Sequence, residues 1–211
     1  KQAAQRQRII FPTSEFSKIK PICGDVTKVG LGVRSSLWPR LCQEVSDIYH
    51  CAAIVNMVLP YEKLLDANVE AVKNVVKFAL TKTKKTIHYA STLSVFVATD
   101  KNTGIVREDD DLSETKVVYG GYAQSKWIAE RFLQQIPKDF LDVNIFRFGL
   151  LTGDSRTGIY SQHDYLDMFV RGLARLGIAP QGEHERISLD VTPVDYAAKA
   201  FTFIASKSSH G

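Results

Sequence analysis

The feature that most constrains the fold of this 211-residue chain is a regular alternation of short apolar segments and longer segments with helical periodicity. The predicted strands cover residues 19–25, 47–53, 86–92 and 142–149, and the predicted helices between them cover 36–45, 60–80 and 122–135. The connections are long enough for crossovers, which is the pattern of a parallel sheet covered by helices on both faces. We therefore predict an α/β fold.

After Gly149 the sequence changes to a glycine-rich polar loop, T-G-D-S-R-T-G at 152–158. A helix over 165–176, a strand over 187–191 and a helix over 194–205 are predicted to follow. We interpret this part, 151–211, as a smaller substrate-side subdomain that returns to the sheet, with a boundary near Leu150.

Composition and charge exclude several classes of function. The chain is 45% hydrophobic and 24% charged, as in a soluble globular protein, and its net charge of +4 comes from scattered residues. The basic stripe of a nucleic-acid-binding protein is therefore not predicted. The acidic run at 108–111 could bind a metal, but four consecutive carboxylates cannot all face one ion, so we predict a solvated loop within 98–117 and no metal site.

Membrane and secretory signals are also missing from the sequence. The longest apolar run, 51–59, is interrupted by Asn56 and is too short to span a bilayer. No apolar segment follows the basic residues at 1–8, so no signal peptide is predicted. The three cysteines have no C-x-x-C spacing, which argues against a disulfide framework or a zinc site and favours a reducing, cytoplasmic setting.

The main candidate for chemistry is the pair Tyr122 and Lys126. Residues four apart share one helix face, so the phenol and the ammonium can point into one cleft. A nearby cation favours the phenolate and would lower a tyrosine pKa toward neutrality, making the phenol usable for proton transfer. The spacing alone favours an exposed helix pair, so the chemical interpretation depends on the rest of the chain.

Three predicted strands end in residues that suit a ligand. Small residues end the second strand, two hydroxyls end the third, and an aromatic residue and a glycine end the fourth: Ala52 and Ala53, Ser91 and Thr92, Phe148 and Gly149. The small pair would admit a flat ligand or simply allow tight packing. In parallel sheets ligands bind at the carboxyl ends of the strands, so these residues predict one site at one edge.

Taken in order, the motifs resemble the extended short-chain dehydrogenase/reductases. They are G-D-V-T at 24–27, I-Y-H-C-A-A at 48–53, A-N-V-E-A-V-K-N-V at 67–75, A-S-T-L-S-V at 90–95 and Y-A-Q-S-K at 122–126. A narrower resemblance, to the thioester reductase domains of nonribosomal peptide synthetases, carboxylic acid reductases and aminoadipate reductases, rests on G-Y-A-Q-S-K-W, T-G-D-S-R-T-G and T-P-V-D-Y at 192–196. It spans residues 19–205.

The resemblance implies a catalytic trio. Tyr122 corresponds to the acid that protonates the carbonyl oxygen as hydride arrives, and Lys126 to the partner that lowers its pKa and holds the nicotinamide ribose. Thr92 corresponds to the residue that hydrogen-bonds the same oxygen. Positioned donors of this kind stabilise the charge that hydride addition builds on oxygen.

The resemblance also implies cofactor contacts. They are Tyr122 and Lys126 with Asp25 near the adenine, Ala52 and Ala53 along the dinucleotide, Ser91 at the strand end, and Phe148 and Gly149 against the nicotinamide. Asn68 matches a helix asparagine that braces the active-site strand, although the sequence alone fits a surface asparagine as well.

Two departures from the family pattern stand out. The Gly-rich turn that seats the pyrophosphate is missing, because Gly30-Leu31-Gly32 is the only G-x-G and reads as a loop. The chain therefore resembles an N-terminally truncated domain, with residues 1–150 forming a partial dinucleotide-binding, Rossmann-like doubly wound sheet. The second departure is Phe148, which stands where many relatives carry proline.

The resemblance implies an NADPH-dependent reductase of acyl thioesters on the phosphopantetheine arm of a carrier protein, which would dock near 152–158. NADH is the other possible reductant. One alternative is an extended reductase or epimerase acting on a nucleotide sugar or a free carbonyl with the same Tyr122 and Lys126. Another is a non-catalytic module that keeps the fold for protein contacts, which the missing phosphate turn favours.

Overall fold

The computed structural model describes residues 13–96, 105–112, 117–161, 164–178 and 190–208. The chain divides into two compact units. The larger comprises Ile22–Phe148 with Ala205–Gly211, and the smaller comprises Lys1–Pro21 with Gly149–Ile204. The roles expected for 1–150 and 151–211 stay predictions.

A three-stranded parallel sheet forms the centre of the larger unit. Its strands are β1 (Asp47–His50), β2 (Thr86–Thr92) and β3 (Val143–Phe148), in the spatial order β1-β2-β3. All three strands were predicted, although β1 stops before the small residues that follow His50. The predicted α/β fold with a parallel, Rossmann-like sheet is confirmed.

Helices precede and connect these strands. They are α1 (Trp38–Glu44), α2 (Tyr61–Leu65), α3 (Ala71–Leu80) and α4 (Gly121–Gln134). A π-helix, Asp66–Glu70, joins α2 to α3, so the helix predicted over 60–80 contains one wider turn. Wider turns of this kind are frequent at functional sites, and this one buries Asn68.

The core of the larger unit lies between α3, α4 and one face of β2. It consists of buried apolar residues from these elements and from the segment before β3: Val72, Val75, Val76, Ala79, Ile87, Tyr89, Ala129, Leu133 and Leu141. The helical spacing of the valines on α3 and the alternation of Ile87 and Tyr89 on β2 bring these side chains together.

The strand predicted over 19–25 is wrong. Residues 19–25 are irregular, and Ile19 and Ile22 are 49% and 43% exposed. Pro21 has no backbone N–H to donate to a ladder, and a strand needs a neighbour to accept its hydrogen bonds. The segment instead leads into a loop that is closed by a hydrogen bond from the Asp25 N–H to the Leu31 carbonyl at 2.7 Å.

The smaller unit contains a second parallel pair, β4 (Leu150–Thr152) and β5 (Val191–Pro193), with α5 (Tyr165–Leu176) and α6 (Val194–Ser208). The predicted helices over 165–176 and 194–205 are confirmed. The strand predicted over 187–191 lies mostly outside the described residues, and so does much of the loop predicted over 98–117.

None of the helices in the described ranges has the length and apolar character needed to cross a membrane. Those ranges also contain no group of three or more His, Cys, Asp or Glu side chains placed to hold a metal ion. The three cysteines are free thiols; Cys23 and Cys51 are exposed and Cys42 is buried.

Candidate active site

The three predicted catalytic side chains are buried near the carboxyl end of β2. Thr92 is the last residue of β2, and Tyr122 and Lys126 lie one turn apart on α4. Their exposed fractions are 9%, 9% and 3%. The Tyr122 side chain is hydrogen-bonded to the side chain of Thr92. The Lys126 Nζ donates to the carbonyl of Ala90 at 2.6 Å. Thus the structure brings the predicted trio together.

A close backbone contact fixes the start of α4. A Cβ atom on Gly121 would lie 2.4 Å from the Leu59 carbonyl oxygen and 2.5 Å from the Tyr61 nitrogen. Real Cβ atoms are not found at such distances, so glycine is required where α4 meets the segment before α2. This contact sets the position from which Tyr122, the next residue, projects.

Asn68 ties the same region together from the π-helix. Its Oδ1 accepts from the Ile54 N–H at 2.8 Å, and its Nδ2 donates to the Ile54 carbonyl at 3.0 Å and to Ser125 Oγ at 2.9 Å. Ser125 in turn donates to the Tyr122 carbonyl at 2.7 Å. Asn68 is 1% exposed, so the surface interpretation is wrong. It braces the segment after β1 and the catalytic helix.

The protonation of Tyr122 differs from the sequence-based expectation. Burial raises the pKa of the Tyr122 phenol, and its hydrogen bond with Thr92 opposes that rise. The expectation that Lys126 brings the pKa toward neutrality is therefore wrong for this arrangement, because desolvation of the phenolate dominates. A phenol with a raised pKa is protonated at neutral pH, which is the state that a proton donor needs.

The pKa of Lys126 is shifted downward, in the direction opposite to that of Tyr122. Burial lowers its pKa to about 8, although the charges of Glu130 and Cys51 raise it. Its Nζ lies 4.1 Å from the centre of the Tyr89 ring. The ammonium is therefore almost fully shielded from water, and it contacts one backbone carbonyl and one aromatic ring face.

Sequence reasoning missed three side chains around Lys126. His50, at the end of β1, is 5% exposed, and burial followed by the charge of Lys126 lowers its pKa to about 4. Its ring stacks on Tyr89 with centroids 5.7 Å apart. Partial burial raises the pKa of the Cys51 thiol, and Lys126 opposes that rise. The sequence showed only an apolar strand here.

A buried ion pair lies behind the trio. Glu130 is fully buried and pairs with Arg147 of β3, at 2.7 Å from Nε and 2.5 Å from Nη2 to Oε1. Ser91 donates to the other carboxylate oxygen at 2.6 Å. The Ser91 hydroxyl is therefore engaged within the fold, and its predicted cofactor contact stays a prediction. The signal in the sequence was the position of Glu130, one turn beyond Lys126.

The remaining predicted cofactor residues lie on several elements. Ala52 and Ala53 follow β1, and Phe148 is paired in register with Thr92. The Asp25 carboxylate accepts from Thr27, at 2.9 Å from its N–H and 2.7 Å from its hydroxyl. Gly149 belongs to the smaller unit. Their roles toward a cofactor stay predictions.

In the smaller unit, two of the three motifs behind the narrower resemblance contact each other. Asp154 Oδ1 accepts from the N–H groups of Arg156 and Thr157 at 3.0 and 2.9 Å, which closes the glycine-rich turn. Ser155 donates through its N–H and its hydroxyl to the Asp195 carboxylate at 2.8 and 2.9 Å. T-G-D-S-R-T-G and T-P-V-D-Y therefore form one hydrogen-bonded structure.

A parallel α/β sheet with a Y-x-x-x-K helix at the carboxyl end of its central strand defines the class of short-chain dehydrogenase/reductase folds. Within that class, the profile of the NAD-binding family described as "Male sterility protein" matches residues 1–201. The chain belongs to this family.

Individual relatives agree with the family match. The chain is 32% identical over 197 residues to a linear gramicidin synthase of Brevibacillus parabrevis, and the match covers 93% of this chain and 4% of that protein. It is 34% identical over 194 residues to L-2-aminoadipate reductase of Saccharomyces cerevisiae, covering 87% and 14%.

A solved structure shows the same fold. The terminal R domain from the myxalamid PKS-NRPS biosynthetic pathway matches with a TM-score of 0.84 and 34% identity, over 95% of this chain and 50% of that one. The chain thus spans about half of the matched R-domain structure and a small part of the curated relatives.

Proposed function

We propose that this chain carries the proton-transfer half of a nicotinamide-dependent reductase that acts on acyl thioesters. The observation that carries the proposal is the buried cluster of Thr92, Tyr122 and Lys126, in which a protonated phenol, a hydroxyl and a cation meet at one strand end. The family match and the reductase relatives support the same class of reaction.

The chemistry follows from the protonation states. When bound, the nicotinamide supplies the hydride, which no side chain can provide. Tyr122 donates its proton to the thioester carbonyl oxygen as the carbon gains hydride, and Thr92 donates a hydrogen bond to the same oxygen. The resulting hemithioacetal loses its thiol: the C–S bond breaks, the hydroxyl proton passes to sulfur, and an aldehyde is released.

The donor set around Lys126 fits a ribose. Its ammonium contacts the Ala90 carbonyl near the carboxyl end of β2 and would donate to ribose hydroxyls, and its pKa of about 8 leaves it mostly charged at pH 7. Beside it, the Nε2 atom of His50 and the hydroxyl of Tyr89 are buried without a hydrogen-bond partner among the described residues. Lys126 would hold the nicotinamide ribose. NADPH is the proposed reductant, and NADH is tested beside it.

The proposal includes a carrier protein that presents the acyl group on a phosphopantetheine arm. The match to a small part of a large gramicidin synthase supports this partner. The docking segment remains the loop Thr152–Gly158, whose shape is fixed by Asp154 and Asp195. A reducing, cytoplasmic setting is part of the same proposal, on the basis of the three free thiols.

The substrate class is tested by offering three carbonyl compounds to the chain with NADPH or NADH and following nicotinamide absorbance. An acyl-pantetheine thioester should be reduced, with aldehyde and free thiol formed in equal amounts. Turnover of a nucleotide sugar or a free ketone, with none of the thioester, would replace the proposal with the extended reductase or epimerase interpretation.

Cofactor binding is tested separately through Cys51. The thiol is exposed and close enough to Lys126 for their charges to interact. In a Cys23→Ser background, NADPH should slow alkylation of Cys51, and Lys126→Ala should remove that protection. Unprotected labelling at millimolar NADPH would instead favour the non-catalytic module.

A further inference from the structure

Tyr89 lies directly beneath the amine of Lys126. It sits near the centre of β2 and is 1% exposed. The centre of its ring is 4.1 Å from the Lys126 Nζ, and the carbonyl of the next residue, Ala90, accepts from the same atom at 2.6 Å. One strand therefore supplies two contacts to the ammonium, one from a side chain and one from the backbone.

The ring of Tyr89, rather than its hydroxyl, makes the contact. Within the described residues the hydroxyl has no hydrogen-bond partner. The negative face of an aromatic ring attracts a cation within about 6 Å of its centre, and most strongly when water is excluded. The Lys126 ammonium satisfies both conditions.

The other groups that face Lys126 do not fix its position in this way. From the β1 side come His50, whose lowered pKa of about 4 keeps it neutral at pH 7, and Cys51, whose pKa is raised. Helix α4 contributes Tyr122, a phenol with a raised pKa, and Glu130, which also forms an ion pair with Arg147. Glu130 favours the charge of Lys126 but is held by another cation.

We infer that Tyr89 is a positioning residue: its ring face holds the Lys126 ammonium over β2, in the position from which Lys126 would reach the nicotinamide ribose and Tyr122. The second half of this statement rests on the proposed function. The first half, the hold on the ammonium, can be measured without any turnover.

The test replaces the ring while keeping its shape. Tyr89→Phe removes only the unpartnered hydroxyl, and 3,4,5-trifluorophenylalanine at position 89 keeps the size of the ring but weakens its negative face. The titration of Lys126 is followed by NMR of protein labelled with ¹³C at lysine Cε, with Lys126→Met identifying the signal. Ile87→Ala, two residues earlier on β2 and buried in the same core, is the matched control for a loss of packing.

The titration midpoint of Lys126 should be unchanged in Tyr89→Phe and should fall by about one pH unit with the fluorinated ring. NADPH affinity at pH 8 should fall with it, by about threefold or more. Ile87→Ala should lower the melting temperature without moving the midpoint.

Two results would overturn the inference: a midpoint that is the same with both rings, or one that moves equally in Tyr89→Phe or in Ile87→Ala. The thioester assay reports on the proposed function separately. If the titration midpoint of Lys126 depends on the ring but the protein reduces no thioester, Tyr89 still positions Lys126 and the proposed substrate is rejected.

Discussion

Replacing Lys126 with methionine should make the protein more stable while removing its function. The folded chain holds the Lys126 pKa at about 8, against an ordinary value of 10.5, mainly because the ammonium is buried. That difference, about 2.5 units at about 1.36 kcal/mol each, corresponds to about 3 kcal/mol of unfolding free energy at pH 7. Methionine has a similar length and carries no charge to desolvate.

The sign of the effect gives the experiment its control. The unfolded chain binds the proton of the Lys126 ammonium more tightly than the folded chain does. Below pH 8, the full reduction in unfolding free energy caused by Lys126 is therefore present. The reduction is lost as the pH rises from about 8 to about 10.5. Between pH 7 and pH 9.5 the stability gap between Lys126→Met and wild type should therefore narrow by about 2 kcal/mol.

Urea unfolding of both proteins at pH 7 and pH 9.5 measures the difference in their unfolding free energies. Groups that titrate in the same way in both proteins contribute equally, so their contributions cancel in this difference. Lys63→Met, at an exposed position on α2, should change stability by less than about 0.5 kcal/mol at either pH. Two results would refute the reasoning: Lys126→Met is less stable than wild type at pH 7, or the stability difference between them does not depend on pH. Either result would mean that burial of the ammonium does not reduce the unfolding free energy.

Three further changes, one of them with a matched control, test the scaffold by urea unfolding. Gly121→Ala should destabilise by about 3 kcal/mol because its Cβ meets backbone, whereas Gly172→Ala, with open space on α5, should gain about 0.5–1 kcal/mol; equal effects would contradict the close approach. Glu130→Gln should cost about 3 kcal/mol by removing the carboxylate charge that faces the mostly buried Arg147, and a neutral result would show that the ion pair does not stabilise the fold. Ser155→Ala should lower the stability slightly by removing one hydrogen bond to the exposed carboxylate on α6, and no change would mean that the backbone hydrogen bond alone holds the turn.

The strands and helices of the larger unit were predictable because local patterns decide them. β2 is a short segment rich in β-branched and aromatic residues, and α3 has valines at helical spacing, so both were placed from the sequence. The failure at 19–25 has a different cause. A strand depends on a partner as well as on its own residues, and Pro21 reduces what this segment can offer.

The site was predictable in its chemistry but not in its electrostatics. The Y-x-x-x-K spacing and the hydroxyl of Thr92 are visible in the sequence. The raised pKa of Tyr122 depends on burial, which spacing does not report. Likewise, His50 and Tyr89 belong to different strands, and only their pairing in the parallel register brings them together under Lys126.

The central claim is that the Tyr122 phenol gives its proton to the substrate oxygen during thioester reduction. The most direct measurement compares wild type with Tyr122→Phe for reduction of an acyl-pantetheine thioester and for NADPH affinity by fluorescence. The variant should lose about 10²–10⁴-fold in kcat/KM while its affinity for NADPH changes by less than about twofold. Turnover near the wild-type rate with Tyr122→Phe would contradict the claim.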